Sequence, residues 1–213
     1  MKNHIIISIL ILSVGLSQQE YNDNDLIEMD NGLWTEKFSD EPITGKVYGY
    51  FGEVQPLKKV YMGNLLKGKK EGRWTRWFNN GRKSSKGFYK NGEIDGLVTE
   101  WYENGKKKIE GTFKDGKPDG LSTNWYENGQ KKIEITIKDG EIDGLQTTWY
   151  ENGLKKSEIN WKDGEINGLW TDWYGKGQKK SEINYKKGKL ISYKYWNEDG
   201  SVNKEWNEDG SVK

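Results

Sequence analysis

The chain has 213 residues, with 34 Lys and Arg against 33 Asp and Glu, so it carries no long-range field that would gather nucleic acid around it. The absence of Cys excludes thiol catalysis, disulfides, iron–sulfur ligation and thiolate zinc sites, and His4 is the only histidine. Eleven Trp and 12 Tyr set the chain apart from disordered sequences, and 27 Gly against 3 Pro predict many tight turns between short strands.

The first segment begins with Lys2 and continues as an apolar run from Ile5 to Leu12, with Val14 and Leu16 beyond it. That run is too short to span a bilayer, and Gly15 and Ser17 are small residues suited to a cleavage site. Residues 1–17 therefore read as a secretory signal peptide and predict export to the periplasm, the cell surface or the medium. Removing them also removes His4, which leaves carboxylates, Lys, Tyr and Ser as the only candidate catalytic groups. A polar lead-in, residues 18–43, follows.

From residue 44 to 188 the sequence repeats. Gly72, Gly96, Gly120, Gly144 and Gly168 recur at intervals of 24, as do Trp77, Trp101, Trp125, Trp149 and Trp173. Five copies are clear, and a degenerate one with Gly45, Tyr50, Phe51, Lys58, Lys59 and Tyr61 precedes them. Residues 189–213 carry shortened units built on Trp196-Asn-Glu-Asp-Gly-Ser-Val and Trp206-Asn-Glu-Asp-Gly-Ser-Val.

Within a unit, Leu145, Thr147 and Trp149 alternate with Gln146, Thr148 and Tyr150, and Ile133, Ile135 and Ile137 alternate with Lys132, Glu134 and Thr136. Period two means strand. Asn-Gly between the two runs is a strong hairpin signal, and Lys-Asp-Gly-Glu-Ile-Asp-Gly at 138–144 reads as a slightly longer loop. The expected fold is all-β: an elongated antiparallel meander of 24-residue hairpins in a single twisted layer, with almost no helix.

Two registers are open. A two-residue Asn-Gly loop puts Trp101 on one face with Lys108 and Glu110. A three-residue Glu-Asn-Gly loop with a bulge at Gly aligns Leu97, Thr99 and Trp101 with Ile109 and Phe113, leaving the Lys/Glu pairs on the other face. The second gathers the apolar columns and is the one expected.

The elements Trp125-Tyr-Glu-Asn-Gly-Gln-Lys and Phe113-Lys-Asp-Gly-Lys-Pro-Asp-Gly resemble the MORN-repeat variant found in bacterial YwqK-type antitoxin proteins. The resemblance covers about Thr44 to Gly188. It implies a protein that neutralises a partner toxin by binding it, and, for MORN repeats more broadly, association with proteins or membranes.

Nothing in the repeats points to catalysis. Glu103, Glu127 and Glu151 precede one turn in each copy and Asp95, Asp119 and Asp143 precede Gly in the other, which is turn chemistry repeated rather than one active site. Asp115 to Asp119 and Asp139 to Asp143 lack the convergent oxygens of a calcium loop. No metal, cofactor or enzymatic activity is expected.

The informative contrast is between fixed and variable columns. The Trp column and the Gly column are constant, whereas Arg76, Glu100, Asn124, Thr148 and Asp172 occupy a single repeat position, as do Trp74, Val98, Ser122, Gln146 and Trp170. A fixed framework with varying side chains is how repeat proteins build extended binding surfaces. With the aromatic neighbours Tyr102, Tyr126, Tyr150 and Tyr174, those five positions form the expected binding surface. Its partner is expected to be a protein, an antitoxin or immunity target among the candidates, with a glycan as the alternative. A membrane scaffold is less favoured, because the mature chain has no net charge to draw it to anionic lipid.

Overall fold

The computed structural model describes residues 19–52 and 57–207. The expected signal peptide and the end of the second shortened unit, from Glu208, lie outside the described residues. Among the described residues the fold is a 17-stranded sheet with a separate two-stranded hairpin, and its one helical element is the 3-10 turn Asp23–Asp25. The all-β expectation holds.

From Gly45–Phe51 onward, the strands pair antiparallel in chain order, through Lys58–Leu66, Lys69–Trp77 and Lys83–Lys90 to Lys189–Trp196 and Val202–Asn207, with Lys83–Lys90 taking both Glu93–Ile94 and Gly96–Trp101, and Lys131–Lys138 both Glu141–Ile142 and Gly144–Trp149. At the other end Glu20–Asn22 adds in parallel to Gly45–Phe51. The hairpin Leu26–Glu28 with Trp34–Glu36 belongs to the lead-in.

Of the two kinds of turn, one is as expected and the other is tighter than expected. Lys114 pairs with Lys117 and Lys138 with Glu141, so Asp115-Gly116 and Asp139-Gly140 are two-residue loops. Both residues of each have positive φ, 48° and 76° in the first pair and 51° and 91° in the second, as a type I′ turn requires. The expected longer loop is therefore the tight turn, followed by a break in the strand at Asp143-Gly144. The Glu-Asn-Gly connection is the three-residue loop. Gly105 donates to the Tyr102 carbonyl over 2.9 Å, Tyr102 donates to that of Lys106 over 2.9 Å, and Gly105 alone has positive φ, at 87°.

The face assignment requires correction. Trp101 pairs with Lys107, but Glu100 pairs with Ile109 and Thr99 with Glu110, so Lys108 is an extra residue that shifts the register back by one. The same shift falls at Lys132, Lys156 and Lys180. Ile109 and Phe113 consequently lie with Val98 and Glu100, and Glu110 lies with Leu97, Thr99 and Trp101. The turn sets the local register, and a second bulge three residues later cancels it.

Each face is therefore mixed. On what we call the threonine face, one unbroken row runs Thr99–Glu110–Thr123–Glu134–Thr147–Glu158–Thr171–Glu182. Its threonines are buried, and Thr99 donates to Glu110 Oε2 over 3.2 Å. Lys107, Lys131 and Lys155 pair with Glu110, Glu134 and Glu158 at 2.6, 2.5 and 2.5 Å while standing 5.5, 5.5 and 5.8 Å from the ring centres of Trp125, Trp149 and Trp173. The Trp column is thus a ladder with lysines interleaved between its rungs. Leu97, Leu121, Leu145 and Leu169 stand exposed beside it.

The principal buried cluster lies at the N-terminal end. Tyr21, Leu26, Ile43, Val47, Leu65 and Trp74 form it, with Trp34, Met62 and Tyr89 packed against it. Gly63 permits the close approach of Trp74, since a Cβ there would fall 2.4 Å from the indole.

Candidate functional site

The second face, here the isoleucine face, holds the two variable columns of the expected surface, while a third variable column, Phe88, Thr112, Thr136, Asn160 and Asn184, pairs with Arg73 and the leucine column on the threonine face. Arg76 pairs with Ser85, Ser85 with Glu100, Glu100 with Ile109, Ile109 with Asn124, Asn124 with Ile133 and Ile133 with Thr148. The row continues through Ser157 and Asp172 to Ser181. Residues 24 apart in sequence therefore sit two strands apart, about 10 Å at ordinary strand spacing. The neighbouring row holds Trp74, Val98, Ser122 and Trp170 against Gly87, Gly111, Ile135 and Ile159.

A third row explains the glycine column. Gly72, Gly96, Gly120, Gly144 and Gly168 stand opposite Tyr89, Phe113, Ile137, Trp161 and Tyr185, all with positive φ. At Gly120, φ is 111° and a Cβ would meet Thr112 Oγ1 at 2.2 Å. Thr112 is held there by a 2.5 Å hydrogen bond to the Asp119 carbonyl.

The side chains of the expected surface differ in availability. Asn124 and Thr148 have no side-chain hydrogen bond among the described residues. Glu100 has only Lys108, at 4.0 Å. Asp172 is more committed, accepting from Trp170 Nε1 at 2.9 Å and from Ser181 Oγ at 3.1 Å. Arg76 stands at the end where the lead-in packs and is itself exposed.

The tyrosines do a structural job that the sequence reading did not assign them. Tyr102, Tyr126, Tyr150 and Tyr174 donate to the carbonyls of Trp125, Trp149, Trp173 and Trp196 at 2.7–2.8 Å. Lys132, Lys156 and Lys180 lie 5.6, 5.7 and 5.9 Å from the ring centres of Tyr126, Tyr150 and Tyr174. Burial pushes the Tyr126 hydroxyl above its usual range, with the Glu151 charge adding to it. A partner therefore meets ring edges and lysine stems here, with the hydroxyls already used.

Sequence reasoning also missed the lead-in. Its Tyr21, Leu26 and Trp34 pack with Trp74, which is the first-copy counterpart of Val98, Ser122, Gln146 and Trp170. A row of apolar residues in an otherwise polar segment was the available signal. Farther along the same face, Trp161 Nε1 is buried without an acceptor.

Among the described residues no cluster of His, Asp and Glu could hold a metal ion. A family model described as MORN repeat variant matches residues 70–91, 94–115, 118–139, 142–163 and 166–187, together just over half of the chain. No curated protein matches the chain.

Proposed function

Starting from the fact that this chain belongs to the MORN repeat variant family, whose repeats often mediate protein or membrane binding, we propose that it binds one protein partner along the isoleucine face. The observation that carries this reading is the segregation of columns. Two columns that differ between copies, Arg76, Glu100, Asn124, Thr148 and Asp172 and Trp74, Val98, Ser122, Gln146 and Trp170, lie in adjacent rows on the isoleucine face, whereas the threonine face carries one such column among recurring Thr, Trp, Lys and Glu. The lead-in supports the choice, because it covers at the first copy a surface that stays open at later ones.

In this reading the protein has no chemistry of its own and neutralises its partner by occupancy, as an antitoxin or immunity protein does. Residues 1–17 direct export, which places the partner in the cell envelope or outside it. A native N-terminus near Gln18 in mass spectra supports export, and intact Met1 in a cytoplasmic fraction overturns it.

The binding face is tested with residues 18–213 as bait on envelope extracts of the source cell, followed by two charge substitutions. Ile135→Asp, on the isoleucine face, should weaken a captured partner by about tenfold or more, and Leu121→Asp, on the exposed leucine row, should leave it bound. The reverse pattern assigns binding to the threonine face and defeats the proposal.

A further inference from the structure

We propose that Asn91 is a site of spontaneous covalent modification, the asparagine that hydrolyses to aspartate in the folded chain ahead of every other with the same neighbour. Seven asparagines precede glycine, at 31, 80, 91, 104, 128, 152 and 167. Glycine has no Cβ to shield the backbone nitrogen it supplies, so the side-chain amide before it is open to attack by that nitrogen. Structure then decides which amide can turn to meet it.

Hydrogen bonds hold all of them except Asn91. Asn80, Asn104, Asn128 and Asn152 accept at Oδ1 from the backbone amide two residues on, at 2.8–3.0 Å, and donate from Nδ2 to a carbonyl of the next copy, at 2.8–3.3 Å. Asn31 accepts from Leu33 at 3.0 Å and Asn167 from Lys187 at 3.1 Å. Asn91 is exposed, and its side-chain amide makes no hydrogen bond among the described residues. With Gly92 it forms a tight turn closed only by the pairs Lys90–Glu93 and Tyr89–Ile94 before the strand breaks at Asp95. A turn so lightly closed opens locally more often than the long ladders beside it.

The step balances with water alone. The Gly92 nitrogen bonds to Asn91 Cγ, its proton passes to water or hydroxide, and the side-chain nitrogen takes up a proton and leaves as ammonia. Water then opens the cyclic imide at either carbonyl, giving aspartate or isoaspartate. The net change is amide plus water to acid plus ammonia.

The aspartate product suits the turn. Asp115, Asp139 and Asp163 occupy the equivalent position in later copies with the same left-handed backbone, φ 48–51° against 53° at Asn91. The stacked neighbour is also receptive: a Cβ on Gly92 would stand 3.5 Å from Lys69, where those on Gly116 and Gly164 would meet Glu93 at 3.6 Å and Glu141 at 3.3 Å. Glu71 accepts from the Asn91 backbone amide at 2.9 Å, so Lys69 and Lys90 balance Glu71 and Glu93 around the turn. A new carboxylate there is not repelled.

The test is peptide mapping by mass spectrometry of the full chain incubated at mildly alkaline pH, folded and in urea, with released ammonia measured in parallel. In the folded chain Asn91 should convert about tenfold or more ahead of the doubly held asparagines, and about threefold or more ahead of Asn31 and Asn167, counting aspartate and isoaspartate together. In urea all should convert within about threefold of one another, because the holding bonds are gone. Asn91→Asp should remove the first equivalent of ammonia at unchanged melting temperature. If Asn91 converts no faster than the held asparagines, the free amide is irrelevant and the proposal falls. It falls equally if Asn91 leads by the same margin in urea, since sequence and not structure would then select it.

Discussion

The hydroxyl of Tyr126 donates a 2.8 Å hydrogen bond to the backbone carbonyl of Trp149, across the boundary between one repeat and the next. Two further sets of bonds cross the same boundaries. Along the Asn-Gly edge, Asn104 and Asn128 donate from Nδ2 to the carbonyls of Glu127 and Glu151 at 3.1 and 2.8 Å. Along the opposite edge, the amides of Gly116 and Gly164 donate to the carbonyls of Ile94 and Ile142 at 2.9 and 3.1 Å. Turn stacking therefore couples neighbouring copies where the sheet would otherwise fray, and in a repeat array such coupling sets the cooperativity of unfolding.

Removing the tyrosine bond should loosen that coupling without disturbing the ladder. Tyr126→Phe should cost about 1 kcal/mol, and adding Tyr150→Phe should broaden the urea transition as well as lower its midpoint. A double variant with an unchanged transition would mean that the hydroxyls bond water equally well.

The Trp ladder should matter more than the ion pairs woven through it. Trp125 is half-buried, so Trp125→Ala should cost about 2–3 kcal/mol, below the range for a fully buried aromatic. Glu134 pairs with a Lys131 side chain that is 45% exposed, so Glu134→Ala should cost about 0.5–1 kcal/mol, falling further in 1 M salt. Chemical denaturation of both variants measures the ratio, and equal losses would show the ladder to be idle.

At Gly120 two obstacles coincide, a φ of 111° and the Thr112 hydroxyl where a Cβ would stand. Gly120→Ala should therefore cost about 2–3 kcal/mol. At Gly140, with φ 91° but open space around the Cβ position, the same change should cost about 1 kcal/mol. Melting curves of the two variants separate backbone strain from crowding.

Asp23 gives a pH signature. Burial raises its carboxyl in the folded state above its ordinary value of 3.8, with hydrogen bonds from the backbone and the Arg76 charge pulling the other way. Between 3.8 and the raised folded value the native state holds the proton more tightly than the unfolded chain, so stability contributed by this group is present at lower pH and is lost as pH rises through that window. Asp23→Asn should raise the melting temperature at pH 7, and its advantage should vanish below pH 3.8.

The 24-residue period, the strand alternation and the all-β meander were legible from the sequence alone, because turn chemistry and side-chain alternation are local properties that each copy states again. The variable columns were legible for the same reason, and the sheet brings them into one row as their spacing implied. What faced what was decided only in three dimensions. Glu-Asn-Gly shifts the register by one, and the extra residue at Lys108 shifts it back, so Ile109 changes sides on a bulge that no single residue type announces. The role of the tyrosine hydroxyls depends on the Trp carbonyl of the following copy, a partner some 23 residues away that only strand pairing delivers. The cleft between the lead-in and the first hairpin is the least local feature of all. It exists because Asp23 and Trp34 fold back on Lys70, Arg76 and Trp77, and burial that unites such distant segments comes from packing, which local pattern does not encode.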